Sequence, residues 1–192
     1  RRDPMQRTYL ADLATGELTE VAASLYGAMP IAESPGYATL VLMDQYTFGD
    51  SAYYLWRKGE GERKLLFGTP RDQREPGEAV APNGISWAHL TDKGLLFVSA
   101  LTEDGYGLSY FPLANPDAVE PVPVAGLVHT GQGELTDLKH RRDNLFTVTY
   151  NIDGASWVYE GTFDEGALRF DLRRVQVGQG ELTGGVLESL AY

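Results

Sequence analysis

Few residues in this chain of 192 have types and neighbours that could do chemistry. The nearest approach to a nucleophile motif is the serine in Gly154-Ala155-Ser156-Trp157 or in Gly107-Leu108-Ser109-Tyr110. A hydrolase serine of the α/β type needs Gly-x-Ser-x-Gly, because a strained elbow between strand and helix must lift its hydroxyl toward a base. Both segments lack the closing glycine and both lie in runs that read as strands, so ordinary strand positions are expected. Gly131-x-Gly133 and Gly178-x-Gly180 lack the third glycine of a dinucleotide fingerprint, and each precedes a predicted strand where that motif requires a helix. No Walker loop occurs.

The three histidines, His89, His129 and His140, have no second His or Cys at ligand spacing, so a metal site would require the fold to bring them together. Strand or turn positions are the expectation for all three. The carboxylates Glu17, Glu20, Glu103, Asp104, Asp164 and Glu165 sit beside turn glycines, which is the placement of solvated loops, and no Asp-x-Asp-x-Asp-Gly calcium loop is present. Trp56, Trp87 and Trp157 are expected to pack between sheets rather than to cage a ligand. No catalytic, cofactor-binding or metal-ligating residue is assigned, and no cofactor is expected.

Composition narrows the class. Hydrophobic types make up 43% and charged types 22%, with 22 Gly, 10 Pro and no Cys, which excludes collagen-like, coiled-coil, disulfide-stapled and low-complexity chains. The 27 acidic and 16 basic side chains give a net charge of -11, which disfavours nucleic acid as a partner. The one dense basic run, Lys139-His140-Arg141-Arg142, reads as a solvated turn. No apolar run approaches the roughly 18 residues of a membrane span. The absence of cysteine points to the cytoplasm and is compatible with the periplasm. The first residues, Arg1-Arg2-Asp3-Pro4, carry neither an initiator Met nor an apolar signal segment, and the chain is read as cut from something longer.

A repeat organises the elements that would position any site. Gly131-Gln132-Gly133-Glu134-Leu135-Thr136 recurs as Gly178-Gln179-Gly180-Glu181-Leu182-Thr183, a period of 47 residues, and a period of about 40 to 50 marks solenoids and propellers. A turn followed by an apolar run appears at Ser34-Pro35-Gly36, at Thr91-Asp92-Lys93-Gly94 and at Arg142-Asp143-Asn144, and each is followed by an aromatic strand, containing Tyr53-Tyr54-Leu55-Trp56, Tyr110-Phe111 or Trp157-Val158-Tyr159. Strand-length runs rich in Val, Tyr, Phe, Trp and Thr alternate with Gly, Pro, Asn and Asp, with no helical stripe. The expected fold is an all-β β-propeller of four-stranded antiparallel blades, a single partial propeller over 1–192 with about four blades. The units are an outer hairpin at 1–24, full blades at 28–70, 80–125 and 133–178, and the start of another at 180–192. Within a blade the second strand is expected to be buried on both faces. The fourth is expected to be an outer edge, because Val119-Glu120-Pro121-Val122-Pro123-Val124 carries two prolines and Leu168-Arg169-Phe170-Asp171-Leu172 alternates. An arc that leaves blade faces and edges open is expected to self-associate.

These residues also resemble a known family. The segment Arg7-Thr8-Tyr9-Leu10-Ala11-Asp12-Leu13-Ala14-Thr15-Gly16-Glu17-Leu18, the turns at Ser34-Pro35-Gly36 and Asp92-Lys93-Gly94, and above all Trp157-Val158-Tyr159-Glu160-Gly161-Thr162-Phe163-Asp164 resemble the propeller of prolyl-oligopeptidase-type serine peptidases, the acylaminoacyl-peptidase group included. The resemblance covers nearly the whole chain, although the Ser-Pro-Asp-Gly turn of that family lacks its Asp at Ser34-Pro35-Gly36. Strand–turn signatures of this kind also recur in periplasmic translocation-associated and lactonase-like propellers. The resemblance implies a non-catalytic lid over an α/β-hydrolase catalytic domain that carries the Ser-Asp-His set, admitting short peptides as substrates. A stand-alone binding propeller is the second reading. A propeller enzyme with a channel metal is the third, for which only His89 and His140 lie near first-strand positions.

Overall fold

The computed structural model describes residues 3–189. Fifteen strands occur among them: β1 (Gln6–Ala11), β2 (Leu18–Ser24), β3 (Met29–Glu33), β4 (Thr39–Thr47), β5 (Asp50–Arg57), β6 (Lys64–Phe67), β7 (Ser86–Leu90), β8 (Gly94–Ser99), β9 (Gly107–Pro112), β10 (Glu120–Pro121), β11 (Val124–Ala125), β12 (Gly133–Arg142), β13 (Leu145–Ile152), β14 (Ala155–Asp164) and β15 (Arg169–Val177). Helical structure among these residues is confined to single 3-10 turns at Pro35–Tyr37 and Arg71–Gln73. The molecule is therefore all-β, with sheets that are antiparallel apart from one short pairing. It divides into two compact units, one of residues up to Gly84 together with Pro112–Asp117, the other of the remainder.

The first unit holds the hairpin β1-β2 and the four-stranded sheet β3-β4-β5-β6. Val21 of the hairpin packs with Leu40, Leu42 and Trp56 of the sheet, so Trp56 is the inter-sheet core residue its type predicts. Asp44 is buried on β4, where it accepts the Ala28 N–H at 3.0 Å and a two-pronged pair of bonds from Arg63 at 3.0 and 2.6 Å. The guanidinium lies 3.9 Å from the centre of the Tyr54 ring, so the buried carboxylate has both a counter-charge and full hydrogen bonding. Asn83 behaves as a short strand: its amide oxygen accepts the Ser51 N–H at 2.9 Å and its amide nitrogen donates to Ser51 O at 2.7 Å.

The second unit holds the sheets β10-β9-β8-β7 and β11-β15-β14-β13-β12. Their facing sides form one core, with Leu96, Val98, Leu108 and Tyr110 against Leu138, Phe146, Val148, Tyr159 and Phe170. All six residues of β8 are buried, as the continuous apolar run predicts. Gly94 opens that strand where a Cβ would run into the Tyr110 ring and the Phe111 carbonyl, so close approach fixes its identity. Glu165 ties the two sheets together, accepting the Tyr110 hydroxyl at 2.8 Å, the Lys93 N–H at 3.2 Å and the Thr91 hydroxyl. This corrects its expected solvated placement: the turn that exposes Asp164 points Glu165 at the neighbouring sheet.

Of the two expected edge strands, the proline-bearing stretch keeps its edge placement, since β10 and β11 each end a sheet, and the alternating stretch in β15 is corrected. The stretch 119–124 divides, with β10 pairing to β9 and β11 joining β15 in parallel through Val124 opposite Phe170. Val122, between the prolines, donates its N–H to Leu108 O at 2.8 Å. The missing proline donors therefore fall at alternate positions facing away from β9. As a result β15 is covered by β11 and is not an outer edge. Residues 180–189 form no strand, although the preceding copy of their hexapeptide opens β12; 190–192 lie outside the described residues. Gly131 and Gly178 start the two copies with φ of +117° and +116°. After that shared start, β13 receives the first copy by pairing Gly133 with Ile152, whereas the second closes a turn in which Gly178 N–H bonds Leu182 O at 2.9 Å.

Candidate functional site

The two serines lie in strands, as their sequence context indicates. Ser109 on β9 is fully buried, with its hydroxyl 2.9 Å from that of Ser99. Ser156 on β14 donates its N–H to Gly185 O at 2.8 Å, and its hydroxyl oxygen accepts the Leu187 N–H at 2.9 Å. The hydrogen bonds described for these hydroxyls join no histidine, so neither has the oriented base that would activate it.

The fold brings two of the three histidines together. His89 on β7 and His140 on β12 stack with ring centres 4.2 Å apart at 25°, and Phe146 stands edge-on to His89 at 5.0 Å. His140 donates from Nε2 to the Asp143 carbonyl at 2.8 Å. Burial pushes His89 down to about 4, assisted by repulsion from His140. His129 is elsewhere: the Tyr159 hydroxyl oxygen accepts its backbone N–H at 3.2 Å and lies 2.6 Å from its Nδ1. Burial lowers the pKa of His129. No group of three His, Cys, Asp or Glu among the described residues is placed to hold a metal ion.

A cleft of about 390 Å³ lies on the face of β12-β13-β14 turned away from the shared core. Its floor follows from register: Asp137 is opposite Thr149, which is opposite Val158, and Lys139 is opposite Thr147. The basic run is thus a strand and not the expected solvated turn. Strand alternation sends Lys139 and Arg141 into the cleft and His140 to the other face, beside His89. Lys139 Nζ forms an ion pair with Asp137 Oδ2 at 2.9 Å, and Arg141 Nε donates to the Thr147 hydroxyl at 3.0 Å. Asp137 Oδ1 is buried without a hydrogen-bond partner.

Trp87 lines the same cleft and departs from the packing expected of it. It is 53% exposed, and its φ of +44° lies in the left-handed region. The cause is local. The β7–β8 register shifts between Ser86 and His89, and the bulge turns the indole out of the sheet. Nothing in the sequence around Trp87 distinguishes it from the buried Trp56, because the bulge depends on which residues of β8 pair.

Among solved structures the chain is similar to TolB from Acinetobacter baumannii, with a TM-score of 0.53 and 14% sequence identity over 88% of this chain and 38% of that one. The chain thus spans well under half of that protein's length, and the likeness is one of β-propeller-like fold. No protein-family profile and no curated protein matches the sequence.

Proposed function

We propose that this chain is the propeller portion of a prolyl-oligopeptidase-type serine peptidase, a lid that admits short peptides to an α/β-hydrolase catalytic domain. The observation that carries the reading is the succession of antiparallel sheets in which the family-like segments are structural: Trp157-Val158-Tyr159 forms the middle of β14, and Arg7 to Leu10 lie in β1. The β-propeller-like fold supports it, as does the engagement of the Ser109 and Ser156 hydroxyls in structural bonds. In this role the chain contributes steric exclusion, and its charge of -11 favours basic peptides over acidic ones at low salt.

The test has two arms. The isolated chain is expected to show no turnover of acyl-peptide or ester substrates and no labelling by an active-serine reagent; turnover abolished by that reagent contradicts the reading. The natural reading frame past Tyr192 is expected to enter a strand–helix alternation with Gly-x-Ser-x-Gly, then Asp and His. Further blades followed by a stop would replace this reading with a stand-alone binding propeller.

A further inference from the structure

We propose that the cleft over β12-β13-β14 is a saccharide site, in which a sugar ring stacks on Trp87 and presents hydroxyls to Asp137, Thr149 and Asn151. The inference is independent of the peptidase reading, since it rests on the geometry of one sheet face.

Two separate observations point to a missing ligand. The first is Asp137 Oδ1, a buried acceptor with no donor, while the other oxygen of the same carboxylate is held by Lys139 at 2.9 Å. A buried carboxylate oxygen left unpaired is costly, and a donor arriving from the cleft removes that cost. The second is Trp87. A bulky residue in left-handed backbone is an outlier, and such strain persists where the surrounding structure enforces it, often at ligand sites. Here it holds a large indole, half exposed, against a polar floor.

The chemistry of the lining selects the ligand class. The cleft opens on the face of the sheet and not along its β12 edge, and the floor strands β13 and β14 are paired on both sides, so the floor offers no free backbone ladder to an extended peptide. A simple anion is disfavoured because the charges lining the cleft cancel, with Lys139 and Arg141 offset by Asp137 and Glu188. What remains is an aromatic face beside hydroxyls, an amide and balanced charges of both signs, spaced along neighbouring strands. A pyranose has a C–H face that covers an aromatic ring and an outward set of hydroxyls that both donate and accept. It can satisfy Asp137 Oδ1 as a donor while it accepts from Asn151 or Thr149. The cleft volume of about 390 Å³ falls in the range of small-ligand sites.

The experiment is binding of the labelled chain to an array of plant, microbial and animal glycans. The best disaccharide is then titrated by tryptophan fluorescence, with tetra-alanine and inorganic phosphate as controls. Saturable binding is expected for a saccharide and for neither control. Trp87→Asn is expected to abolish it while leaving the unfolding midpoint unchanged or higher, because asparagine accepts left-handed backbone readily. Asp137→Asn, which removes the charged acceptor but keeps the shape, is expected to weaken it about tenfold. Failure of every glycan to bind, binding of tetra-alanine or phosphate in place of a sugar, or saccharide binding retained in both variants would overturn the assignment.

Discussion

Asp44 shows how a single buried charge commits the residues around it. Its side chain is only 4% exposed, Arg63 is 15% exposed, and the two meet at 2.6 Å under the Tyr54 ring. Removing one partner strands the other in a site poor in water, so Asp44→Ala is expected to lower stability by about 3 to 5 kcal/mol in denaturant titration. Asp44→Ala combined with Arg63→Met is expected to recover much of that loss. His89 supplies a second prediction. Its unfolded form takes up a proton near pH 6.5, whereas the folded form resists until about 4. Between those values the unfolded chain binds more protons, so stability falls as pH drops from 6.5 through 4 and is fully present above that window. The thermal midpoint is expected to decline across the window in the wild type and less steeply in His89→Phe. Sequence alone could not reveal either feature, because Asp44 and Arg63 belong to different strands or turns and His89 meets His140 only across two sheets. Ser109 and Ser156 were readable, since their apolar and aromatic neighbours already specify a strand.

Elements differ in how far their own residues determine them. β8 is buried along its length and needs no special partner to be recognised, while the fate of Gly-Gln-Gly-Glu-Leu-Thr depends on what lies beside it. In the first copy Leu135 is 1% exposed and donates its N–H to Tyr106 O at 2.9 Å; in the second, Leu182 is 60% exposed and donates to Gln179 O at 3.3 Å within a turn. Hydrogen exchange is therefore expected to be slower at Leu135 than at Leu182 by orders of magnitude, because only the former is tied to a core element. Equal protection of the two amides would show that residues after Gly178 pair as a strand. β11 makes the same point from the other side. Two residues, Val124 and Ala125, find a parallel partner in β15, and the chain is handed across there because the Pro123 carbonyl, turned away from β9, accepts the Phe170 N–H at 3.0 Å.

For the molecule as a whole, the -11 charge is the term least tied to any one contact. Self-repulsion among exposed carboxylates opposes the compact state and is screened by salt, whereas the Asp44–Arg63 pair is shielded from it. The unfolding midpoint is expected to rise between low and physiological ionic strength, and a fall would show that attractive surface pairs dominate. The likeness to TolB belongs to this scale too, since it is a likeness of β-propeller-like fold at 14% identity. No helix among the described residues is long and apolar enough to cross a membrane.

What the sequence determined by itself was local: the strand runs, the turns between them and hence the all-β class, because period-two burial and the backbone needs of Gly, Pro, Asn and Asp act over a few residues. What only the tertiary structure decided was everything that depends on a partner distant in the chain. Register shifted β7 against β8 and turned Trp87 outward, and it sorted Lys139 and Arg141 from His140 onto opposite faces of one strand. Packing set His89 on His140 and drew Glu165 out of solvent toward Thr91 and Tyr110. Each of these positions is fixed by a neighbour that sequence proximity does not name, and the cleft exists only where several of them coincide.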